Sequence, residues 1–163
     1  MYGGRAAIVA TLMTLRFRAS STLLAVYLAG CTAPPPEPLE NHWARADSPE
    51  AREARLRGWI PSWVPDGATE LTEAHDPAAP ESLLVFREPT VLIIPASCDV
   101  TDAAGVVRPT MTKPWWPSGE VLDGSRMMFY RCPPDDDNAR MFIALASGEP
   151  WVYVWTTIDR RPR

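Results

Sequence analysis

The sequence is poor in histidine and has no long run of apolar residues. Histidine occurs only at His42 and His75 among 163 residues, so the side chain most often used as a general acid or base has few positions. The apolar stretches "AAIVATLMTL" and "STLLAVYLA" are separated by "RFR", and each is far shorter than the roughly 20 residues that a membrane-spanning helix needs. The sequence therefore predicts no membrane-spanning helix.

Motifs of common catalytic and nucleotide-binding sites are missing as well. No glycine-rich phosphate loop is present, and neither Ser97 nor Ser118 stands in a G-x-S-x-G nucleophile elbow. The acidic run "PDDDN" at 134–138 suggests a calcium loop, but counting from Asp135 puts Arg140 and Ala146 where glycine and glutamate are required. We interpret it as a solvated turn, and we predict no catalytic residue, no metal site and no cofactor.

Basic charge is scarce after Cys31. Thirteen Lys and Arg residues stand there against twenty Asp and Glu residues, a net charge of −7. Such a surface repels nucleic acid and anionic lipid, so nucleic acid is not an expected partner. The length of the chain and its 46% content of hydrophobic residues suit a single globular domain.

The first thirty residues have the organisation of a secretory signal. They carry Arg5, Arg16 and Arg18 and no acidic residue, and the second apolar stretch runs directly into "LAGC" at 28–31. A start at Met13 would place the basic region immediately before the apolar core, so Met13 is an alternative start.

The sequence "LAGC" resembles the lipobox of bacterial lipoprotein precursors. The resemblance implies that residues 1–30 are a signal peptide removed by a dedicated peptidase. It also implies that Cys31 receives a diacylglyceryl group and becomes the first mature residue, with palmitate-like chains that anchor the protein firmly when two or more are present. The alternative is an ordinary secretory signal with a chance cysteine.

Proline dominates the segment that follows the cysteine. "TAPPPEP", at 32–38, favours an extended polyproline II spacer. We predict a lipidated cysteine and tether at 31–45 and a globular domain at 46–163. Because Thr32 is not the aspartate that retains lipoproteins in the inner membrane, the resemblance implies an outer-membrane lipoprotein in the cell envelope, facing the periplasm.

The domain begins with signals for a short helix and a rigid plug. In "DSPEAREARLRG", Ser48 suits the N-cap, Pro49 the first turn and Gly58 the end of a helix. In "WIPSWVP", at 59–65, the prolines forbid a regular helix while the apolar residues demand burial, so we expect a non-regular plug against a sheet.

Strand patterns dominate the remainder. "TELTEAH" and "SLLVFRE" predict two strands around a turn, and "TVLII" predicts a buried strand or a compact turn of helix. "RMMFYRC", "RMFIALA" and "WVYVWTTI" predict an antiparallel three-stranded C-terminal meander. The predicted fold class is α+β, a small single domain with a mostly antiparallel sheet and minor helical cover.

The segments "WIPSWVP", "YRC" and "VYVW" together resemble a group of small uncharacterised bacterial envelope proteins. The resemblance touches about half of the mature chain, and it implies no activity that could be transferred to this protein.

Two functions are open from the residues alone. The first is a non-enzymatic binding or interaction module of the envelope, in which Trp115 and Trp116 of "KPWWPSGE" contact a protein or glycan; the alternative is that these side chains cover the edge of the core. The second is an envelope hydrolase that combines His75 with distant acids such as Asp99 or Asp102. Asp76 is not suitable as a partner of His75, because adjacent residues of a strand point to opposite faces.

The two remaining cysteines form an even pair outside the cytoplasm, where disulfides persist. We therefore predict a disulfide between Cys98 and Cys132 that closes the loop holding Trp115 and Trp116. Two buried free thiols are the alternative.

Overall fold

The computed structural model describes residues 37–88, 92–124, 126–135 and 138–158. The expected signal peptide and the lipidation site at Cys31 lie outside these residues. Seven strands and two α-helices follow one another in these residues, with a short 3-10 helix (Ala103–Gly105) between β4 and α2. They are β1 (Leu39–Arg45), α1 (Pro49–Leu56), β2 (Thr69–His75), β3 (Ser82–Arg87), β4 (Asp99–Thr101), α2 (Gly119–Leu122), β5 (Met127–Pro134), β6 (Ala139–Ala146) and β7 (Trp151–Ile158).

All seven strands of the described residues belong to one sheet with the order β1-β2-β3-β7-β6-β5-β4. Every neighbouring pair is antiparallel. The structure thus confirms the mostly antiparallel sheet with few helices, including the meander β5-β6-β7. Strand β7 pairs on its other side with β3, from Ser82 opposite Thr156 to Arg87 opposite Trp151, and so it lies in the middle of the sheet.

The sheet begins earlier in the chain than the predicted boundary at residue 46. Strand β1 pairs with β2 from Leu39 opposite His75 to Arg45 opposite Thr69, so these residues belong to the domain and not to a tether. The sequence of β1 shows no apolar alternation typical of a strand, because β1 is an edge strand with mostly exposed side chains. Only Trp43 packs its ring against the core.

The helix signals are confirmed at α1. The Ser48 side chain accepts a hydrogen bond from the backbone N–H of Ala51, and Pro49 stands at the first turn. Gly58, just past the helix, has φ +80°, a conformation that glycine adopts at little cost. Within the described residues, no helix has both the length and the apolar character that crossing a bilayer requires.

One face of the sheet is covered by α1 and the plug at 59–65. Ile60 and Val64 are almost fully buried in this first core, which confirms the predicted plug. The Arg55 guanidinium holds the plug to the helix, since its Nη1 donates to the carbonyls of Ser62 at 3.2 Å and Val64 at 2.7 Å. Leu92 and Ile94 of "TVLII" also pack here, but residues 92–94 form neither a strand nor a helix.

The opposite face is covered by the segment 106–122, which the sequence patterns do not mark as structural. A second core forms there around Trp155, Phe142 and Phe129 of the sheet. Val106, Met111 and Leu122 of the covering segment are buried against it. The carbonyl of Val107 also accepts a hydrogen bond from the Trp155 indole Nε1 at 2.7 Å. Apart from the single turn of helix α2, this segment has no regular structure, so side chains from irregular backbone close most of the second face.

Candidate functional site: a cleft beside Trp116

A cleft of about 390 Å³ opens within the segment that covers the second face. Its volume is in the range of small-molecule sites. The walls are mainly apolar, and the lining is drawn from a single stretch of chain: Arg108, Pro109, Met111, Thr112, Lys113, Trp116, Pro117, Ser118, Gly119 and Leu122. The cleft therefore rests on the second core, with the buried Met111 and Leu122 side chains at its base.

The structure places both residues of the predicted Trp pair at this site, half-buried against the second core. Trp115 uses its indole Nε1 to donate to Glu40 Oε1 at 3.0 Å. Trp116 lies edge-on to Tyr153, with 5.8 Å between ring centroids, and edge-on to Trp155, with 6.0 Å. The pair thus covers the edge of the core, and Trp116 also forms a wall of the cleft.

Glu40 anchors the loop that carries the two Trp residues. Besides the Trp115 indole, its carboxylate contacts Lys113 Nζ at 3.0 Å and His42 Nε2 at 3.2 Å. The hydrogen bond from Lys113 is the largest cause that lowers the pKa of Glu40 below its ordinary value of 4.5. Edge strand β1 therefore supports the cleft loop. In the sequence, Glu40 lies 73 positions before Lys113 and 75 positions before Trp115.

Two cationic side chains line the cleft, and each has a carboxylate partner. Lys113 pairs with Glu40. Arg108 pairs with Asp123 through Nη2, and its guanidinium lies over the Phe129 ring at 5.2 Å from the centroid. Stacking and pairing together fix the orientation of the guanidinium at the cleft wall.

Two buried N–H groups of residues that line the cleft have no hydrogen-bond partner among the described residues. They are Arg108 Nη1 and Trp116 Nε1. A buried donor without an acceptor costs about 1–3 kcal/mol. Both atoms are shielded from solvent, so they belong to the packed side of the cleft wall and not to its open surface.

The predicted disulfide between Cys98 and Cys132 is confirmed, with 4.0 Å between the Cα atoms. Cys98 stands immediately before β4, and Cys132 lies within β5. The bridge closes a chain segment of 34 residues that contains the whole cleft lining. It therefore restricts the covering segment at both of its ends.

A second cluster surrounds His75 on the opposite face of the sheet. His75 Nδ1 lies 2.8 Å from Glu73 Oε1, and Asn41 Nδ2 donates to Glu73 Oε2 at 2.9 Å. The His75 ring stacks on Trp59 with 4.7 Å between centroids. The Glu73 side chain is fully buried, and this burial raises its pKa above the ordinary value of 4.5, against the opposing effects of Asn41 and His75.

The expected partnership of His75 with Asp99 or Asp102 is wrong. Strand β4, which begins at Asp99, and β2, which ends at His75, are separated by four strands of the sheet. At about 4.8 Å per strand, the two strands lie roughly 24 Å apart. The acid that meets His75 is Glu73. Side chains two positions apart on a strand lie on the same face. This rule, which argues against Asp76, would have identified Glu73, two positions before His75, as the partner.

Residues 37–87 match the family model described as the YbbD head domain, a stretch that runs from just before β1 to the end of β3. The match covers less than half of the chain, and it includes the His75 cluster but not the cleft lining. No curated protein and no solved structure matches the sequence.

Proposed function

We propose that this chain is a lipid-anchored bacterial envelope protein whose domain binds a small ligand in the cleft beside Trp116. The sequence "LAGC" after a basic and an apolar stretch supports the anchor at Cys31 and, with Thr32 next to it, an outer-membrane position. The disulfide supports a compartment outside the cytoplasm. The likeness of residues 37–87 to a YbbD head domain adds support for an envelope-associated protein.

The observation that carries the binding role is the cleft itself. Its volume of about 390 Å³, its apolar walls and its few polar groups are the usual attributes of a small-molecule site. The Trp115 indole N–H already binds Glu40, and the Trp116 ring is packed edge-on against two aromatic rings. Less aromatic surface is thus open than a flat glycan or protein contact would need, so a ligand that enters the cleft fits the geometry better.

The anchor is tested by metabolic labelling. A bacterial host that expresses the wild-type chain should incorporate labelled fatty acid into it, and Cys31→Ser should abolish the label and move the protein to the soluble fraction. Thr32→Ser is the matched control, because it changes the neighbouring residue and leaves the thiol intact. Label that persists in Cys31→Ser would refute the anchor.

The cleft is tested by filling it. Gly119 lines the cleft, and a Cβ added there would meet no atom within 4 Å, so the backbone accepts a side chain at this position and Gly119→Phe should block the site. Leu56→Phe is the control, since Leu56 is already 90% exposed on α1. In ligand-observed NMR with aromatic fragments, the wild type and the control should bind fragments that Gly119→Phe does not. Equal binding by all three would contradict the proposal.

A second candidate function, an envelope hydrolase, is favoured by the surroundings of His75. Glu73 orients His75 through Nδ1 at 2.8 Å, and Ser82 stands directly opposite His75 in the β2-β3 register, so the two side chains share a face. A nucleophilic serine would react with a fluorophosphonate probe. Labelling of the wild type that disappears in Ser82→Ala and in His75→Gln would support this candidate, and no labelling of the wild type would eliminate it.

A further inference from the structure

The charges that line the cleft are of one sign. Arg108 and Lys113 contribute to its walls, whereas their carboxylate partners, Asp123 and Glu40, are not part of the lining. A ligand inside the cleft therefore meets the cationic side of two ion pairs. The side chain of Lys113 is only 18% exposed and that of Arg108 only 29%, so water screens these groups less than it screens a surface charge.

The charged side chains of the lining are donors only. The Arg108 guanidinium and the Lys113 ammonium donate hydrogen bonds and accept none. A ligand group that binds to them must bring lone pairs. A charged oxygen does so best, because a hydrogen bond to an ionised acceptor is stronger than a neutral one.

We propose, building on the ligand-binding role above, that the cleft selects a small organic monoanion, a carboxylate with an apolar body. The carboxylate takes the position next to Arg108 and Lys113. The apolar body lies along Trp116, Met111 and Leu122, which form the apolar walls. A single negative charge fits best, since Asp123 and Glu40 already balance the two cations and the chain after Cys31 carries a net charge of −7.

The test compares two probes of nearly the same shape, 2-naphthoate and the neutral 2-naphthamide, in which an NH2 donor replaces one charged acceptor oxygen. Calorimetric titration uses the chain with Cys31→Ser, purified from the periplasm. Naphthoate should bind this reference protein at least about ten-fold more tightly than the amide, a difference of about 1.4 kcal/mol. The preference should weaken with added salt.

Two variants assign the preference to the cations. Arg108→Met keeps an apolar contact with Phe129 and removes the positive charge. Lys113→Met removes the second positive charge of the lining. Each should reduce the ratio of the two affinities to less than about three-fold, mainly by weakening naphthoate. Arg87→Met is the matched control, because Arg87 forms its ion pair with Glu70 on other strands of the sheet. Thermal melts check that every variant is folded. If Arg108→Met does not fold, the affinity ratio measured with Lys113→Met tests the proposal alone.

The outcomes separate the two proposals. Equal affinity of the reference protein for both probes, with binding that Gly119→Phe removes, would overturn the selection of an anion and leave the ligand cleft standing. A charge preference that survives both Met variants would also overturn it. Failure of both probes to bind, or binding that Gly119→Phe does not change, would overturn the proposed cleft function itself.

Discussion

Glu73 and His75 stand two positions apart on β2, and their side chains meet at 2.8 Å although the Glu73 carboxyl is fully buried. A buried carboxylate without a full countercharge favours the proton, and burial is the largest cause of the raised pKa of Glu73. The protonation state of Glu73 therefore affects the stability of the β1-β2 end of the sheet.

Replacing Glu73 by Gln should stabilise the protein increasingly as the pH rises. A folded-state pKa above the ordinary value of 4.5 means that the stabilising contribution of Glu73 is present below that pH and is lost as the pH rises through the folded-state pKa. Glutamine stays neutral and can still accept from Asn41. In urea unfolding between about pH 4 and about pH 8, the stability difference between Glu73→Gln and the wild type should grow with pH. Glu70→Gln, on the same strand but exposed, should show no such growth.

The hydrogen bonds between Arg55 and the plug should contribute measurably to the free energy of unfolding. Arg55→Met removes the charged donors to the carbonyls of Ser62 and Val64, and the loss of charge-assisted hydrogen bonds should cost about 1–3 kcal/mol in the free energy of unfolding. Arg52→Met, on the exposed side of the same helix, should change stability by less than about 0.5 kcal/mol. Similar losses in the two variants, measured by urea unfolding, would argue against a specific role of Arg55.

Glu40→Ala should loosen the cleft loop more than it destabilises the domain. The carboxylate is partly exposed, so its ion pair and hydrogen bond should contribute no more than about 1 kcal/mol to global stability. Hydrogen exchange of the backbone amides of Lys113, Trp115 and Trp116 should nevertheless accelerate, because Lys113 and Trp115 lose their common partner. Unchanged exchange there would show that core packing alone holds the loop.

The same contact has a predicted pH dependence. Since Lys113 lowers the pKa of Glu40, the contribution of Glu40 is present above its ordinary value of 4.5 and is lost as the pH falls through the folded-state pKa. Exchange of the amides of Lys113, Trp115 and Trp116, corrected for its intrinsic pH dependence, should therefore rise at acid pH in the wild type. In Glu40→Ala it should stay constant.

Loss of the disulfide should be the most costly of these changes. For a closed segment of 34 residues, the chain-entropy estimate is about 3–4 kcal/mol. The double variant Cys98→Ala, Cys132→Ala should lose about this much stability in urea unfolding, and reduction of the wild type should produce a comparable loss. The intact wild-type mass should lie two hydrogens below that of the reduced chain. A double variant as stable as the oxidised wild type would contradict the estimate.

The parts of the fold that the sequence predicts are those in which local signals and burial agree. Helix α1 has its cap and first-turn proline, and strands β6 and β7 have nearly continuous apolar runs that are buried on both faces of the sheet. Edge strand β1 escapes detection because its sequence "LENHWAR" has mostly exposed side chains and follows directly on the proline run. Only its pairing with β2 makes it a strand, and pairing is not written in its own residues.

The cleft escapes prediction for a different reason. Residues 106–122 carry no helical or strand period, and the side chains that line the cleft, such as Arg108 and Leu122, come together only after the second core has formed. The aromatic pair at 115 and 116 indicates the neighbourhood but not the geometry. Its support comes from Glu40, 75 positions before Trp115, and no local pattern records such a distance.

The central place of β7 in the sheet has a consequence for how the chain comes to be folded. Strands β1, β2 and β3 emerge first from a ribosome or a translocation pore, followed by β4, β5 and β6, and β7 is made after all of them. Without β7, β3 and β6 would each have a bare hydrogen-bonding edge with apolar side chains, the kind of surface that recruits foreign strands. β7 is thus the strand that joins β1-β2-β3 to β4-β5-β6, and both of these edges stay unpaired until it is in place.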